Sequence, residues 1–277
     1  MKSNGHHKAE VSVVIPVFNE EENVLPLAEE IAEAMRQVGR TYEIVFVDDA
    51  STDSTWQKIR EAQQRLPRVR GLRHSRNSGQ SAAMWTGIQA TKSPILVTLD
   101  GDRQNDPVDL PRMFEALEDC DFVCGARQKR QDHVMRRVSS AVARRVRMRV
   151  LNSEFCDTGC AFRVFRREAL QGVFPFNGLH RFLPVLVQAN GARTKEIPIS
   201  HRPRTAGESK YGMWNRLGRG IYDLIAMAWY QRRRIGRIDV IELPHRAAAG
   251  GAARAAAPAF DFKMRAPEFH PVEPEQD

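Results

Sequence analysis

The sequence predicts an α/β fold, a doubly wound sheet of mainly parallel strands flanked by helices. Three observations carry this expectation. Strand-like and helix-like segments alternate through the first half, the strand segments are apolar runs suited to burial, and each is followed by a polar loop rich in Asp, Asn, Ser or Gly. In such sheets, ligands bind at the carboxyl ends of the strands.

Residues 11–17 read as the first buried strand, and residues 20–38 as a helix with Val24, Leu27, Ile31 and Met35 at helical spacing. Residues 43–47 form a second strand. It is ended by Asp48-Asp49-Ala50-Ser51-Thr52-Asp53, whose short polar side chains suit the cap of a helix reaching about Leu66. Residues 69–74 and 79–91 give a third strand and helix. Residues 95–99 are the fourth strand, and Pro107 suits the first turn of a helix to Glu118.

The fourth strand ends in Asp100-Gly101-Asp102. An Asp-x-Asp loop after a buried strand can place carboxylate oxygens on a hard divalent cation, which in turn can hold a nucleoside diphosphate. The topology brings Phe18-Asn19-Glu20, Asp48-Asp49, Asn77-Ser78-Gly79 and Asp100-Gly101-Asp102 to one edge of the sheet. A dinucleotide fold would want Gly-x-Gly-x-x-Gly after the first strand, where this chain has an acidic loop.

The second half is less regular. Residues 136–151 read as an imperfectly amphipathic helix, with Arg145 and Arg149 beside its valine face. In residues 213–228, Trp214, Leu217, Ile221, Leu224, Ile225 and Ala228 share one face, and Arg232-Arg233-Arg234 follow. That suits a helix lying in a membrane interface; the alternative is a helix docked on the domain or on a second subunit. Residues 1–9 read as a flexible start, 10–212 as the catalytic domain, 213–237 as the basic interfacial segment and 238–277 as a disordered tail.

The net charge of +8 comes largely from arginines within 127–149 and 202–237, which favour a polyanion. Nucleic acid is not expected, since no basic motif interleaved with aromatics appears. The longest apolar run, residues 224–230, is far short of the ~18–20 residues that cross a bilayer. The first seven residues lack a cleavage site, so the chain is expected to be cytoplasmic. Cys120/Cys124 and Cys156/Cys160 have knuckle-like spacing, but strand residues four apart stand ~13 Å apart, so reduced thiols are expected rather than zinc.

Residues 13–20, 47–53, 76–83, 99–107 and 157–163 resemble, in order, the signatures of family 2 glycosyltransferases with the GT-A fold, a Rossmann-like mainly parallel sheet. Residues 204–212, Arg-Thr-Ala-Gly-Glu-Ser-Lys-Tyr-Gly, are similar to the Arg-x-x-Gly-x-Ser-Lys element of the polyprenyl-phosphate branch, which includes dolichol-phosphate mannose synthases. The resemblance covers about residues 10 to 235. It implies an inverting transfer of a sugar from a UDP- or GDP-linked donor to a polyprenyl phosphate, at the inner face of the cytoplasmic membrane.

The resemblance also implies roles for individual residues. Pro16, Phe18 and Glu20 would line the nucleotide pocket, Asp49 would bind the base, Asp48 would support the loop, and Asn77 and Gly79 would line the donor. Asp100 and Asp102 would flank Mg2+ or Mn2+, with Gln104 nearby. The structural alternatives are Phe18 as core, Asp48 as a helix cap and Asn77 as a turn residue. Asp157 would act as a base or orient the donor sugar or acceptor; a phosphate acceptor, with a second pKa of ~6, needs no base. Arg127, Arg204 and Lys210, with Ser209 donating a hydrogen bond, would hold the acceptor phosphate; Arg136, Arg137, Arg144 and Arg145 are weaker candidates. Many relatives carry hydrophobic helices after the catalytic domain; here the amphipathic segment, its arginines or a membrane-bound partner would serve instead. The rival readings are a transferase with a soluble or glycan acceptor and a nonenzymatic sugar-nucleotide scaffold.

Overall fold

The computed structural model describes residues 9–127, 145, 148–202 and 213–234, with side chains on the last helix described from Gly220 onward. Strands β1 (Val11–Val17), β2 (Tyr42–Asp48), β3 (Val69–Arg73) and β4 (Ile95–Thr98) alternate with helices α1 (Val24–Val38), α2 (Thr55–Arg65) and α3 (Gln80–Gln89). A 3-10 turn at Pro107–Asp109 leads into α4 (Leu110–Ala116), then β5 (Phe122–Arg127), β6 (Arg163–Arg166), α5 (Leu179–Ala189), β7 (Thr194–Ile199) and α6 (Met213–Arg233).

One sheet has the order β3-β2-β1-β4-β6-β5-β7. The β1/β2, β2/β3, β1/β4 and β5/β7 pairs are parallel, while β6 runs antiparallel to both β4 and β5. β1 is buried along nearly its whole length because helices cover both faces of the sheet. α1 supplies one cover through Val24, Leu27, Ala28, Ile31 and Met35, an i, i+3, i+4 stripe that is fully buried. On α3, a Cβ at Gly87 would stand 2.4 Å from Val14 Cγ1, so glycine sets how closely that helix meets β1. The chain leaves β1 toward β2 on one side and β4 on the other. The crevice at the carboxyl ends of β1 and β4 is therefore the switch point where open α/β sheets bind ligands.

The first-half elements fall where the sequence places them, within a few residues at the ends. β6 and β7 were not expected. β6 has four residues with arginine at each end, and β7 carries Pro198, so neither reads as an apolar run. Of the helix expected over 136–151, residues 145 and 148–150 are helical and the rest lie outside the described residues, as do residues 238–277.

The apolar positions of α6 are unequally buried: Leu224 packs against the core and Ala228 is buried, whereas Ile221 and Ile225 are 52% and 64% exposed. Trp214 and Leu217 lie outside the described side chains. Docking is secured by Met227, by Tyr230 in edge contact with Phe174 and by Arg234, which donates to Asn190 Oδ1 at 3.0 Å.

Candidate active site

The loops that follow β1, β2 and β4 each contain a non-glycine residue in the left-handed region: Asn19, Ala50 and Arg103, at φ 55°, 60° and 57°. Such backbone persists only where neighbours hold it. Here the first two loops brace each other. The Asn19 N–H donates to Ser51 Oγ at 2.9 Å, Thr52 N–H donates to Asn19 Oδ1 at 2.9 Å, and Glu20 N–H donates to Thr55 Oγ1 at 2.8 Å. Pro16, Phe18 and Glu20 stand half-buried at this edge, and Glu20 Oε2 accepts from Asn23 Nδ2 at 2.7 Å.

Asp48 and Asp49 are both buried, and both work on the protein itself. Asp48 Oδ1 accepts the Ser51 N–H at 2.9 Å, while Arg73 Nε lies 3.1 Å from Oδ2 in ion-pair contact. Asp49 ties neighbouring loops together. Its Oδ1 accepts the Ser78 N–H at 2.8 Å and meets His74 Nδ1 at 2.7 Å, and its Oδ2 accepts the Gly79 N–H at 2.7 Å. His74 Nε2 in turn meets Thr86 Oγ1 at 3.0 Å. The carboxylate thus ties the loop after β3 to the loop after β2. Gly79, at φ 89°, takes a backbone that suits glycine and starts α3, while Asn77 is exposed on the same loop.

Asp100 and Asp102 sit at the end of β4 beside that helix. Asp100 Oδ1 accepts from Gln80 Nε2 at 2.6 Å, and Asp102 Oδ1 accepts the Gln104 N–H at 3.1 Å. The residue between them is fixed by space: a Cβ at Gly101 would lie 2.6 Å from Val17 Cγ1 and 3.3 Å from the Pro16 carbonyl oxygen. Glycine therefore lets the two aspartates press against the end of β1. Burial, and then the like charge of Asp102, push the Asp100 carboxyl up to about 6; Arg163 and Arg127 oppose that rise. The two carboxylates are a crowded pair of hard oxygen donors, a donor set that fits a divalent cation. Among the described residues no cluster of three or more ligating side chains occurs, so the pair stands as a two-carboxylate site.

The other side of the crevice comes from β5 and the segment before β6. Arg127 grips Asp157 bidentately, Nε to Oδ2 at 2.7 Å and Nη2 to Oδ1 at 2.9 Å. Burial alone would raise the Asp157 carboxyl, but the hydrogen bonds and charge of Arg127 outweigh it and hold it below the usual carboxylate range. Asp157 is therefore ionised and committed at neutral pH. Glu196 on β7 fixes this loop by accepting the Cys156 and Asp157 N–H groups at 2.9 and 2.8 Å.

Beneath the loop, the wholly buried Arg163 donates from Nη2 to the carbonyls of Thr158 and His180, at 3.1 and 2.6 Å. Its Nε and Nη1 make no hydrogen bond among the described residues. His180 meets Ser81 Oγ through Nδ1 at 2.6 Å, which joins α5 to the first turn of α3. Burial, and the charges of Arg181 and Arg163, push the His180 imidazole down to about 3, so it is neutral.

The structure thus gathers Asp100, Asp102, Gln104, Glu20, Arg127 and Asp157 on the β4 side of this edge and on its second wall, while Asp48 and Asp49 support it from behind. Arg204, Ser209 and Lys210 lie outside the described residues, as do Arg136, Arg137 and Arg144. His74, Gln80, Arg163, His180 and Glu196 were missed. Gln80 directly follows Gly79 within the residue 76–83 motif, which is a signal for it; Glu196, in a strand of mixed character, leaves no such signal.

Residues 12–174 match the family model described as Glycosyl transferase family 2. The undecaprenyl-phosphate 4-deoxy-4-formamido-L-arabinose transferase of Edwardsiella ictaluri is 37% identical over 217 residues, covering 78% of this chain and 66% of that protein. The dodecaprenyl-phosphate galacturonate synthase of Rhizobium johnstonii is 36% identical over 229 residues, with 80% and 68% covered. The chain thus spans about two thirds of the length of these relatives. A structure of glucosyl-3-phosphoglycerate synthase from Mycobacterium tuberculosis with Mn2+, UDP and phosphoglyceric acid superposes at a TM-score of 0.61, with 19% identity, over 80% of this chain and 78% of that one. The mannosyltransferase PcManGT from Pyrobaculum calidifontis with GDP-Man and Mn2+ gives 0.55 at 19% identity, over 84% and 67%. These two likenesses concern the fold.

Proposed function

This chain belongs to glycosyl transferase family 2, and from that premise we propose that it moves one sugar, with inversion, from a nucleoside diphosphate sugar to a polyprenyl phosphate at a membrane surface. The observation that carries the donor half is the Asp100-Gly101-Asp102 pair at the switch point, pressed against β1 and bonded to the first residue of α3. Mg2+ or Mn2+ held by Asp100 and Asp102 would neutralise charge on the departing nucleoside diphosphate. Phe18, Pro16 and Glu20 line the nucleotide side, with Asn77 and Gly79 above it; Asp49 shapes this pocket by fixing the Ser78 and Gly79 amides.

A phosphate acceptor is supported by the state of Asp157. An ionised carboxylate gripped by a guanidinium is a poor proton acceptor, and a phosphate with a second pKa of ~6 is already a nucleophile at neutral pH. Arg127 is a half-exposed fork of donors whose geometry matches a phosphate as well as a carboxylate. In this reading Asp157 positions Arg127 at the rim, and Arg204, Ser209 and Lys210 add further donors. The relatives named for undecaprenyl and dodecaprenyl phosphates support the same acceptor class.

The test is incubation of the protein with radiolabelled UDP- and GDP-sugars, undecaprenyl phosphate and Mg2+, followed by extraction into organic solvent. Label in the organic phase is expected. Label transferred but retained in water would replace the lipid with a soluble acceptor, and no turnover of any donor would leave a sugar-nucleotide scaffold.

A further inference from the structure

Behind the second wall of the crevice, with Cys156 shared between them, lies a cavity of about 1200 Å³ walled by residues 145, 148–154 and 156, the end of α5 and the end of α6. Arg145, Arg149, Arg232 and Arg234 line it, with Glu154 as the single acidic side chain among the lining residues. None of these arginines is ion-paired among the described residues; Arg234 bonds to the neutral Asn190. The walls are not simply polar, since Leu151, Val185, Ala189 and Ala228 contribute apolar surface. The volume exceeds the ~300–1000 Å³ of a drug-sized pocket, and the combination of clustered guanidiniums with apolar walls suits an anionic amphiphile.

The cavity continues into a second feature. At ~100° per residue, Ala228, Ile221, Arg232, Ile225 and Trp229 follow one another within a sector of roughly 100° around α6. Ala228 and Arg232 line the cavity, whereas Ile221, Ile225 and Trp229 stand 52%, 64% and 64% exposed. The helix thus buries one side in the core, offers its next edge to a basic cavity and turns an apolar ridge outward.

We infer that this cavity takes the headgroup of an anionic phospholipid, with the Ile221-Ile225-Trp229 ridge entering the surrounding bilayer surface. A small soluble anion would account for the arginines but leave the ridge unexplained. A second copy of the chain would account for the ridge, but an isologous contact there would bring the two arginine clusters together. A phospholipid satisfies both, because its phosphate meets the guanidiniums and its acyl chains meet the apolar edge. The inference rests on the function proposed above only in placing the protein at a membrane, and it concerns docking rather than the acceptor.

The test is flotation of the full chain with vesicles that contain no polyprenyl phosphate, so that docking and transfer fail separately. Binding is expected to vesicles of phosphatidylcholine with roughly a third phosphatidylglycerol, to weaken with salt, and to be lost on phosphatidylcholine alone. The Arg149→Gln/Arg232→Gln double variant should bind the anionic vesicles on the order of 20–30-fold more weakly, as expected for two charges near a charged surface. Arg149→Lys/Arg232→Lys should retain most of the binding, which separates lost charge from lost folding. Trp229→Asp should weaken binding while leaving the melting temperature of this exposed position unchanged. Equal binding by the wild type to neutral vesicles, or by the Gln double variant to anionic ones, would overturn the inference. So would a dimer in sedimentation velocity that Trp229→Asp dissolves without any loss of vesicle binding.

Discussion

The two walls of the crevice are built in different ways. On the donor side, the loops after β1 and β2 brace each other through Ser51, Thr55 and Asn19, Gln80 reaches Asp100 after β4, and buried Asp49 ties the β2 and β3 loops by fixing two amides and an imidazole. On the acceptor side, the 156–157 segment hangs on Glu196 and on the half-exposed Arg127–Asp157 pair. In the proposed reading the first wall is a braced frame for the leaving group. The second holds a half-exposed charge pair, which in the proposed reading a phosphate acceptor would open.

The largest expected effect falls at the donor wall. Asp102→Asn should lower turnover by about 10²–10³-fold without lowering the melting temperature, because it removes one of two crowded like charges. Steady-state kinetics beside a thermal melt separates the two readings, and a chelator should abolish turnover that Mn2+ or Mg2+ restores. Activity within a few-fold of wild type would move the charge-stabilising site elsewhere.

Next is the frame itself. Asp49→Ala leaves the Ser78 and Gly79 amides without their acceptor in a buried site, which should cost about 2–4 kcal/mol of stability in a urea titration. A negligible change would mean that the donor loops are not rigidly braced and would dissolve the contrast between the walls.

The seam between the walls should show itself through pH. With its imidazole held down to about 3, His180 binds a proton in the unfolded chain near pH 6.5 but not in the folded one. Its contribution to stability is therefore present above pH 6.5 and is lost as pH falls from there toward 3. Between pH 6.5 and 4.5 the wild type should lose about 2 kcal/mol that His180→Gln does not lose, measured by denaturant unfolding at each pH.

The smallest effect belongs to the acceptor wall. Asp157→Asn should reduce turnover about tenfold through a misplaced Arg127, with the pH–rate profile above pH 5 unchanged in shape, because the native carboxylate is ionised throughout that range. A loss above 10³-fold together with a vanished acidic limb would make Asp157 a base.

The same division explains what could be read from the sequence. Strands buried on both faces announce themselves as apolar runs, so β1 to β4 and their loops were legible, and with them Asp100 and Asp102. β6, bounded by Arg163 and Arg166, hides because its largest buried side chain is a guanidinium, a residue type that normally signals the surface. Asp49 is visible in the sequence but its protein partners are not: an acidic loop residue looks the same whether it faces a ligand or the amides of the next loop. Glu196 acts across the sheet from a strand of mixed polarity, and only the β5/β7 pairing places it.

The reversed strand has a consequence for how such a protein can diversify. Because β6 is antiparallel to β4 and β5, with Arg163 opposite both Thr98 and Cys124, the chain leaves the sheet after Arg127 and re-enters it next door at the same edge. The two ends of that excursion are pinned by neighbouring strands, so its length is nearly free: doubling a loop costs only ~0.6 kcal/mol in closure entropy. Leu151, Phe155, Cys160 and Phe162 are tied into the core and Thr98 Oγ1 donates to the Ala161 carbonyl, so any exchange within this excursion has to keep its returning end. In the proposed reading the fold works as a socket, with the donor chemistry held on the β1–β4 loops and variation left to the outer part of this excursion.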